Sequence, residues 1–421
     1  MVKKTVVGLA AACLVVLATG HIEATNGYFA TGYGTESKGV AGAGVAIATD
    51  TLAPALNPAT IVFVTNQVDL GAGLFNPNRS YTVFGAPSGF PGTFGLASGK
   101  VNSGSRLFAV PAAGAAWKAG AKGAFGIAMY GNGGMNTDYT AQTFGVTPAG
   151  VDLSQMFIAP TYARKLGEHH AIGFTGVVAY QRFEARGLQA FAPFSSDDDC
   201  LTNNSHANSF GGGLRVGYMG MLSQHLSVGA SYQSRIWMRK LEPYQGLFAQ
   251  RGSFDVPSSW VVGIAVKPTE KVDLLADVQQ VRYSEVKSIG NALLPNLTQV
   301  PLGSDGGAGF GWHDMTTFKF GMQRRMRTGW TWRAGYSYGK QPIPSSEALF
   351  NILAPGVEEH HATVGLSKAV GKGREFSLAI TRAFSNTVTG PNPLEAPGRQ
   401  QIGLQMNQWD VQVGYALKLG R

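Results

Sequence analysis

The sequence is poor in cysteine, in charged residues and in long apolar runs. Only two of the 421 residues are cysteines. Cys13 lies in an apolar leader, so a mature chain that keeps only Cys200 cannot form an internal disulfide. Charged residues make up 14%, against about 25% in soluble domains, and no basic cluster of the kind that binds nucleic acid is present. Beyond the leader no apolar run approaches the roughly 18 residues that a spanning helix needs.

The first 24 residues have the pattern of a secretory signal peptide. Met1–Lys4 are positively charged, Thr5–Leu17 are apolar and uncharged, and small residues follow. Cleavage is expected after Gly20 or Ala24. The signal predicts that the protein leaves the cytoplasm.

What the sequence has instead is alternation of apolar and polar residues with a period of two. In one segment Val272 and Leu274 share one strand face, while Asp273 and Asp277 share the other. Such segments run about 9 to 15 residues, longer than the usual 5 or 6. A soluble sandwich would alternate as well, but aromatic residues lie near the ends of the apolar faces, as in a membrane girdle: Trp330, Trp332, Tyr336, Tyr338, Trp409 and Tyr415.

Turn signals predict the number of strands. Six short connections alternate with seven long polar or Gly/Pro-rich ones, which lie near residues 85–105, 140–152, 189–207, 239–256, 287–312, 341–357 and 390–407. Thirteen connections require fourteen strands, with short turns at one end and long loops at the other. Closure leaves no unpaired backbone in lipid. We therefore predict an all-β fold, a 14-stranded antiparallel transmembrane β-barrel formed by residues 67–421.

Residues 25–66 precede the barrel and have no alternation. They are rich in glycine, which permits close backbone approach and left-handed dihedrals. The apolar residues among the glycines argue against a flexible tail, which would be rich in Ser, Pro, Glu or Lys. The tripeptide Asn57-Pro58-Ala59 indicates a turn in which the asparagine side chain bonds nearby backbone.

Three segments together resemble the FadL family of outer-membrane transporters for long-chain fatty acids and other hydrophobic compounds, which includes aromatic-hydrocarbon channels. Two of them are residues 311–326 and 329–344, where a tyrosine-bearing strand ends in Pro-Ile-Pro. The most specific segment is residues 25–60, which match the family's N-terminal hatch motif in order: Lys38-Gly39, Gly42, Gly44, Asp50 and Asn57-Pro58-Ala59. The resemblance covers essentially the whole mature chain.

The resemblance implies how the protein works. Residues 25–66 would form a hatch inside the barrel lumen, and substrate would leave sideways through a gap beside a kinked third strand. The corresponding strand is residues 124–139, in which Gly131, Asn132, Gly133 and Gly134 interrupt the alternation as a bulge would. The implied role is passive uptake of fatty acids or hydrocarbons into the outer membrane of a Gram-negative cell, by a monomer that contacts lipid, lipopolysaccharide and the barrel assembly machinery. The family implies no cofactor.

Two groups of residues are candidates for substrate contact. Lys319, Arg333 and Arg215 lie opposite apolar neighbours on their strands and are expected to face the lumen, where a cation would help a carboxylate substrate. Barrel interiors are polar, so an inward Lys or Arg more often pairs with an inward carboxylate such as Asp273 or Asp277 than with a ligand. Apolar residues in the long loops could form an outer vestibule or simply pack loop against loop: Phe191, Phe194, Leu293, Leu294, Leu349 and Phe350.

No motif indicates catalysis or a resident metal. Residues of the pairs His169-His170 and His360-His361 would point to opposite strand faces, so neither pair can chelate one ion. Asp197–Asp199 lack the spacing of a calcium loop. A general porin for polar solutes, an outer-membrane lipid hydrolase and a surface adhesin remain alternatives. The C-terminal residue Arg421 departs from the aromatic residue with which such barrels commonly end.

Overall fold

A computed structural model of the chain describes residues 26–371 and 373–420. The predicted signal peptide, residues 1–24, lies outside this part. Within it, sixteen strands form one antiparallel sheet, and the first strand pairs with the last, so the sheet closes into a barrel. The strands are β1 (Gln67–Phe84), β2 (Gly99–Asn102), β3 (Phe108–Ala119), β4 (Gly123–Asn136), β5 (Gly150–Leu166), β6 (His170–Arg186), β7 (Ala207–Met221), β8 (Leu226–Gln233), β9 (Trp237–Met238), β10 (Ser259–Thr269), β11 (Val272–Val281), β12 (Met315–Arg325), β13 (Trp330–Gly339), β14 (His360–Ala369), β15 (Arg374–Pro391) and β16 (Gln401–Lys418).

Fourteen of these strands form the closed ring and confirm the predicted count. The other two, β2 and β9, are short strands that pair with the extensions of β1 and β7. Helical structure in the described part is confined to short segments. The α-helical ones are Thr35–Gly39, Ala249–Gly252, Lys287–Gly290 and Asn296–Gln299, and the 3₁₀ ones are Ala53–Ala55, Pro58–Phe63, Gln189–Phe194, Asp198–Cys200, Glu242–Tyr244, Tyr283–Glu285, Ser345–Glu347 and Phe350–Ile352. Among the described residues no helix has the length and apolar character to cross a membrane.

The two faces of the strands are inverted relative to those of a soluble protein. On β12 the Phe320 side chain is 53% exposed while its neighbour Lys319 is 2% exposed. The same holds on β11, where Leu274 is exposed and Asp273 is buried. Apolar residues thus cover the outside of the barrel and polar residues line the inside, which is the arrangement that a lipid environment requires.

The connections alternate between short and long as predicted, but strands extend into several of the predicted long loops. Strand β2 lies within residues 85–105, and β5 begins at Gly150, within residues 140–152. The loop predicted at residues 390–407 is wrong at its C-terminal end, because β16 already begins at Gln401. The reason is a change of side-chain character within the strand. Between Gln401 and Trp409 the inward residues include the apolar Leu404 and Met406, while the outward ones include the amide Gln405. This half of the strand therefore lacks the apolar outward face by which the lower half is recognised.

Residues 26–66, the N-terminal segment, extend across the barrel from one side to the other. The helix Thr35–Gly39 packs against β13 to β16, and the 3₁₀ helix Pro58–Phe63 packs against β4 to β7. These two groups of strands lie on different sides of the ring. At the end of the barrel that carries the long loops, inward strand residues and loop residues form one large apolar cluster, which includes Tyr28 and Phe29 of the segment.

Candidate functional site

Strand β4 carries a β-bulge at Asn132. Gly131 pairs with Met156 of β5 and Gly133 pairs with Gln155, so Asn132 has no partner in the register. A bulge of this kind bends its strand and locally interrupts the ladder. The bulge lies within the glycine-rich segment where the sequence predicts a kink.

The wall between β3 and β4 is unpaired beyond the bulge. The two strands pair from Ala119 and Gly123 up to Ala112 and Tyr130, and the preceding residues of β3 pair with β1 but not with β4. At the loop end the wall is bridged again, where the Gly104 amide donates to the Asp138 carbonyl oxygen at 2.7 Å. Between these limits no hydrogen bond joins the described backbones of β3 and β4, and we call this unpaired stretch the gap.

The N-terminal segment lies directly behind this gap. The Ala30 amide donates to the Asn132 carbonyl oxygen at 2.8 Å, and the Gly134 amide donates to the Tyr28 carbonyl oxygen at 3.1 Å. A β-carbon on Gly133 would lie 1.6 Å from that Tyr28 oxygen, so only glycine allows the two backbones to come this close. The bulged part of β4 therefore pairs with the N-terminal segment in place of β3.

A chain of buried side-chain hydrogen bonds fixes the bulge. The Tyr33 hydroxyl donates to Asn132 Oδ1 at 3.0 Å, and Asn132 Nδ2 donates to Gln155 Oε1 at 3.1 Å. Gln155 Nε2 in turn donates to Gln181 Oε1 on β6 at 2.7 Å. The polar group of Asn132 is thus satisfied inside the barrel, as a buried amide must be.

Asn57 of the predicted hatch motif joins three pieces of backbone. Its Oδ1 accepts from the Ala59 amide at 3.0 Å and caps the 3₁₀ helix that begins at Pro58. Its Nδ2 donates to the Val45 carbonyl oxygen at 2.7 Å and to the Tyr218 carbonyl oxygen of β7 at 2.9 Å. Proline suits the first helical position, because it lacks the amide hydrogen that would be unbonded there.

The other motif residues shape the turns of the segment. Gly42 has φ of +73°, and a β-carbon there would lie 1.8 Å from the Thr31 carbonyl oxygen. Gly44 has φ of +144°, again in the range that favours glycine. Asp50 Oδ1 accepts from the Leu52 amide at 2.9 Å, and burial raises the pKa of the Asp50 carboxyl group.

Charged contacts hold the middle of the segment against the barrel wall. Lys38 forms an ion pair with Asp410 of β16 at 2.6 Å. Asp277 Oδ2 on β11 accepts from the amides of Gly44 and Val45 at 2.7 and 3.0 Å. Hydrogen bonds to an ionised acceptor are stronger than neutral ones, so these contacts stabilise the segment more than backbone pairing would.

The three cations predicted to face the lumen are buried there, and each bonds to the N-terminal segment. Lys319 Nζ donates to the Thr31 carbonyl oxygen at 2.9 Å. Arg333 pairs with Glu36 at 2.7 Å. These cations hold the segment in place in the state described. Arg215 donates to Tyr130 Oη at 2.9 Å, to the Pro54 carbonyl oxygen at 3.3 Å and to Gln233 Oε1.

The apolar loop residues predicted for a vestibule belong to the large apolar cluster. Four of them are buried, namely Phe191, Leu293, Leu349 and Phe350, and the remaining two, Phe194 and Leu294, are partly buried against the cluster. Aromatic contacts join different loops, with the rings of Phe191 and Phe350 at 5.6 Å. The structure therefore places these residues in loop-to-loop packing rather than on an open surface.

Histidine and aspartate candidates have other partners. His170 Nδ1 lies 2.7 Å from the Tyr218 hydroxyl, and His360 Nδ1 lies 2.5 Å from the Tyr336 hydroxyl. Asp197 accepts from the Cys200 amide and caps a short 3₁₀ helix. Across residues 26–371 and 373–420, no group of three or more potential ligands is placed to hold a metal ion.

Sequence reasoning missed a buried arginine beside the gap. Arg79 of β1 faces inward and donates from Nη1 to the Asn136 carbonyl oxygen at 2.8 Å. It lines a small cavity with Gly134 and Met135 of the bulged strand. The alternation of the surrounding sequence, with asparagines on both sides of Pro77, is too weak to show which face Arg79 occupies.

The sequence matches the family model described as outer membrane protein transport protein (OMPP1/FadL/TodX) over residues 15–400. No curated protein matches the sequence significantly. Similar solved structures include the P. putida toluene transporter TodX, at 16% identity and a TM-score of 0.66 over 93% of this chain and 99% of that chain. A Pseudomonas aeruginosa FadL homologue is 14% identical with a TM-score of 0.68, covering 94% and 100%. The Ralstonia pickettii toluene transporter TbuX is 16% identical with a TM-score of 0.63, covering 93% and 99%. These likenesses show a shared fold.

Proposed function

The chain belongs to the outer membrane protein transport protein family (OMPP1/FadL/TodX), and we propose that it is a passive channel through which hydrophobic molecules enter the outer membrane. The closed β-barrel with an apolar outside fits this location. Relatives of known structure are toluene transporters and a FadL homologue. The proposed substrates are accordingly long-chain fatty acids or aromatic and aliphatic hydrocarbons.

The observation that carries this proposal is the gap between β3 and β4. From the Ala112–Tyr130 pair towards the long loops the two strands are not paired. In this stretch the N-terminal segment bonds to β4 instead. A barrel that released polar solutes to the periplasm would need an open axial pore instead. A side opening leads into lipid, where an apolar molecule is more stable than in water.

In the proposed mechanism the N-terminal segment is the hatch, with residues 25–66 as its extent and residues 67–421 as the barrel. Substrate first binds among the apolar residues of the long loops, which must separate to admit it. Movement of residues 28–30 away from β4 then opens a path from the lumen to the gap, because their backbone bonds to Asn132 and Gly134 occupy that path. Release is lateral diffusion into the bilayer, with no covalent step and no cofactor.

Three further elements belong to the proposal. The leader of residues 1–24 is removed on export, the barrel works as a monomer, and its outer face contacts lipid and lipopolysaccharide after insertion by the barrel assembly machinery. A general porin and a lipid hydrolase are the alternatives. Because the N-terminal segment crosses the barrel, the proposal expects a low single-channel conductance, whereas a porin would conduct strongly.

The experiment that tests this function is uptake of radiolabelled oleate and toluene by cells that lack or carry the protein. Faster uptake of either compound by cells carrying the protein supports the proposal. Unchanged uptake of both, with normal amounts of protein in the outer membrane, overturns it. Hydrolysis of lipid esters by the purified protein would instead favour the enzyme alternative.

Deletion of Asn132 tests the lateral route. The deletion removes the unpaired residue, so that Gly131 and Gly133 become neighbours in one continuous register with β5. A straight β4 could then pair with β3 along its length, and uptake is expected to stop while the barrel still inserts. Deletion of Gly89, which lies in an exposed loop with nothing within 4 Å of its β-carbon position, is the control. Normal uptake by the Asn132 deletion would contradict a lateral exit.

A further inference from the structure

The outward face of strands β12 to β15 changes from apolar to basic just before the short turns. On β12 the outward residues Phe320 and Met322 are followed by Arg324. On β14 the outward residue Leu366 is followed by Lys368. The apolar band of a membrane barrel ends at the level of the lipid headgroups. These cations therefore lie where lipid headgroups contact the barrel.

Four cations form this basic edge, and we call them the basic patch. Arg324 lies on β12, Arg327 in the turn that follows it, Lys368 on β14 and Arg374 at the start of β15. The three arginines are exposed and Lys368 is half-buried. Within the described part of the chain none of the four forms an ion pair. The neighbouring Arg325, whose side chain turns inward, is by contrast paired with a buried carboxylate.

The carboxylates closest in sequence to the patch do not neutralise it. Glu375 follows Arg374 on β15 but lies on the opposite strand face, where its Oε2 is 4.0 Å from Lys418 Nζ. Glu270 lies in the turn between β10 and β11 beside Lys271, which has the opposite charge. The short-turn end of the β12 to β15 wall thus carries an excess of positive charge on its outward face.

Two tryptophan rings lie among these cations. Trp332 is the register partner of Arg324, and Trp330 is the register partner of Lys368. Lys368 Nζ lies 4.8 Å from the centre of the Trp330 ring and donates to the Thr328 carbonyl oxygen at 2.9 Å. An ammonium group has three donors. Lys368 is therefore held at the surface of the barrel with donors left for an acceptor from outside the chain.

We propose that the basic patch binds the phosphate headgroup of an anionic glycerophospholipid in the periplasmic leaflet of the outer membrane. The short turns of such barrels face the periplasm, so the patch lies at the headgroups of that leaflet. Arginine suits a phosphate because its planar fork donates two parallel hydrogen bonds. The patch lies on a different part of the ring from the gap between β3 and β4, so this inference does not depend on which molecule the channel transports.

The surface beside the patch suits a lipid better than a soluble anion or an acidic protein. Met322, Val364 and Phe376 are exposed, and they continue the outward face from the cations towards the middle of the membrane. A ligand that covers both parts must have a negative headgroup and an apolar tail. Free phosphate would use the cations alone, and a soluble protein could not reach the apolar part within the bilayer.

The test measures binding of phosphatidylglycerol and of phosphatidylcholine with the same acyl chains to the purified protein by native mass spectrometry. Phosphatidylglycerol should bind about tenfold more tightly, because cations attract an anionic headgroup. A patch variant should bind the two lipids equally, and it carries Arg324→Gln, Arg327→Gln, Lys368→Gln and Arg374→Gln. A control variant should keep the preference, and it carries the same change of charge on exposed cations at the long-loop end: Arg239→Gln, Lys240→Gln, Arg282→Gln and Lys340→Gln.

Tryptophan fluorescence provides a second measurement in vesicles, because Trp330 and Trp332 lie in the patch. Phosphatidylglycerol with brominated acyl chains should quench the fluorescence of the unaltered protein and of the control variant more strongly than brominated phosphatidylcholine does. In the patch variant the two brominated lipids should quench equally.

Four outcomes would overturn the proposal. Equal affinity of the unaltered protein for the two lipids would show that no selective site exists. A preference that persists in the patch variant would place the site elsewhere on the barrel. Loss of the preference in the control variant as well would show an effect of net charge alone. Displacement of phosphatidylglycerol by an equal concentration of glycerol 3-phosphate would assign the patch to soluble anions.

Discussion

Lys38 and Asp410 form a buried ion pair that joins the start of the chain to its last strand. Their charged atoms are 2.6 Å apart, and each side chain is 4% exposed. Lys38 belongs to the short helix Thr35–Gly39, and Asp410 faces inward from β16. The pair is one of several polar contacts by which the barrel wall holds the N-terminal segment, so its loss should act on that segment before it acts on the barrel.

We expect Lys38→Met to loosen the N-terminal segment. Removal of one partner leaves the other charge buried without compensation, which typically costs about 3 to 5 kcal/mol. Protease sensitivity of residues 26–66 should rise in the purified variant while the barrel stays resistant. The double variant Lys38→Met with Asp410→Leu should recover much of the resistance, because no unpaired charge remains. Lys100→Met on an exposed strand is the control, and equal sensitivity of all three variants would refute a role for the pair.

We expect Gly133→Ala to separate the N-terminal segment from the bulged strand. The added β-carbon would lie 1.6 Å from the Tyr28 carbonyl oxygen, so the backbones must move apart and lose the bond from the Gly134 amide. Amide hydrogen exchange at Ala30 and Gly134 should become faster. Gly176→Ala is a matched control, because nothing lies within 4 Å of the β-carbon position at that residue. Protection that is the same in both variants would contradict the observed contact.

The sequence predicts a strand well where the apolar residues of that strand face outward, and poorly where they face inward. Residues such as Leu274 and Phe320 alternate with buried polar neighbours and show the lipid-facing strands directly. The upper half of β16 is not predicted, since its apolar residues Leu404 and Met406 turn inward. Strand alternation depends on the local environment of each half, and that environment changes where the barrel leaves the membrane.

The candidate site is only partly accessible to such reasoning. Glycine clustering indicates the bulge at Asn132, because few other features place glycines at this density in mid-strand. The partner of each inward cation is not predictable: Lys319 bonds to the N-terminal segment, while Arg79 donates to the carbonyl oxygen of Asn136 on β4. Which cation is paired depends on distances between residues far apart in sequence, and alternation carries no such information.

We expect Asn57→Ala to destabilise the N-terminal segment more than any exposed asparagine does. The substitution removes three hydrogen bonds of a fully buried side chain, to the backbone of Val45, Ala59 and Tyr218. Each donor or acceptor left unsatisfied costs about 1 to 3 kcal/mol. Single-channel conductance in planar bilayers should increase, because the segment would occupy its position for less of the time. Asn102→Ala, in an exposed part of β2, should leave conductance unchanged. Unchanged conductance in Asn57→Ala would show that Asn57 does not hold the segment in place.

We expect the N-terminal segment to become less stable as pH rises towards neutrality, with Glu36 as one cause. Burial raises the pKa of the Glu36 carboxyl group to about 7 from its ordinary value of 4.5, although the ion pair with Arg333 opposes the rise. Glu375 and Asp69 face the same group and favour its proton, while Lys418 disfavours it.

Because the folded state holds this proton more tightly than the unfolded state, the stabilisation is fully present below pH 4.5 and is lost as pH rises through about 7. Protease resistance of residues 26–66 should therefore decrease between pH 5 and pH 8. Glu36→Gln, which cannot ionise, should show a flatter profile than Glu270→Gln, a control on the exposed turn between β10 and β11. Identical profiles for the two variants would show that the pH response arises elsewhere, for example from the buried Asp50, whose pKa is also raised.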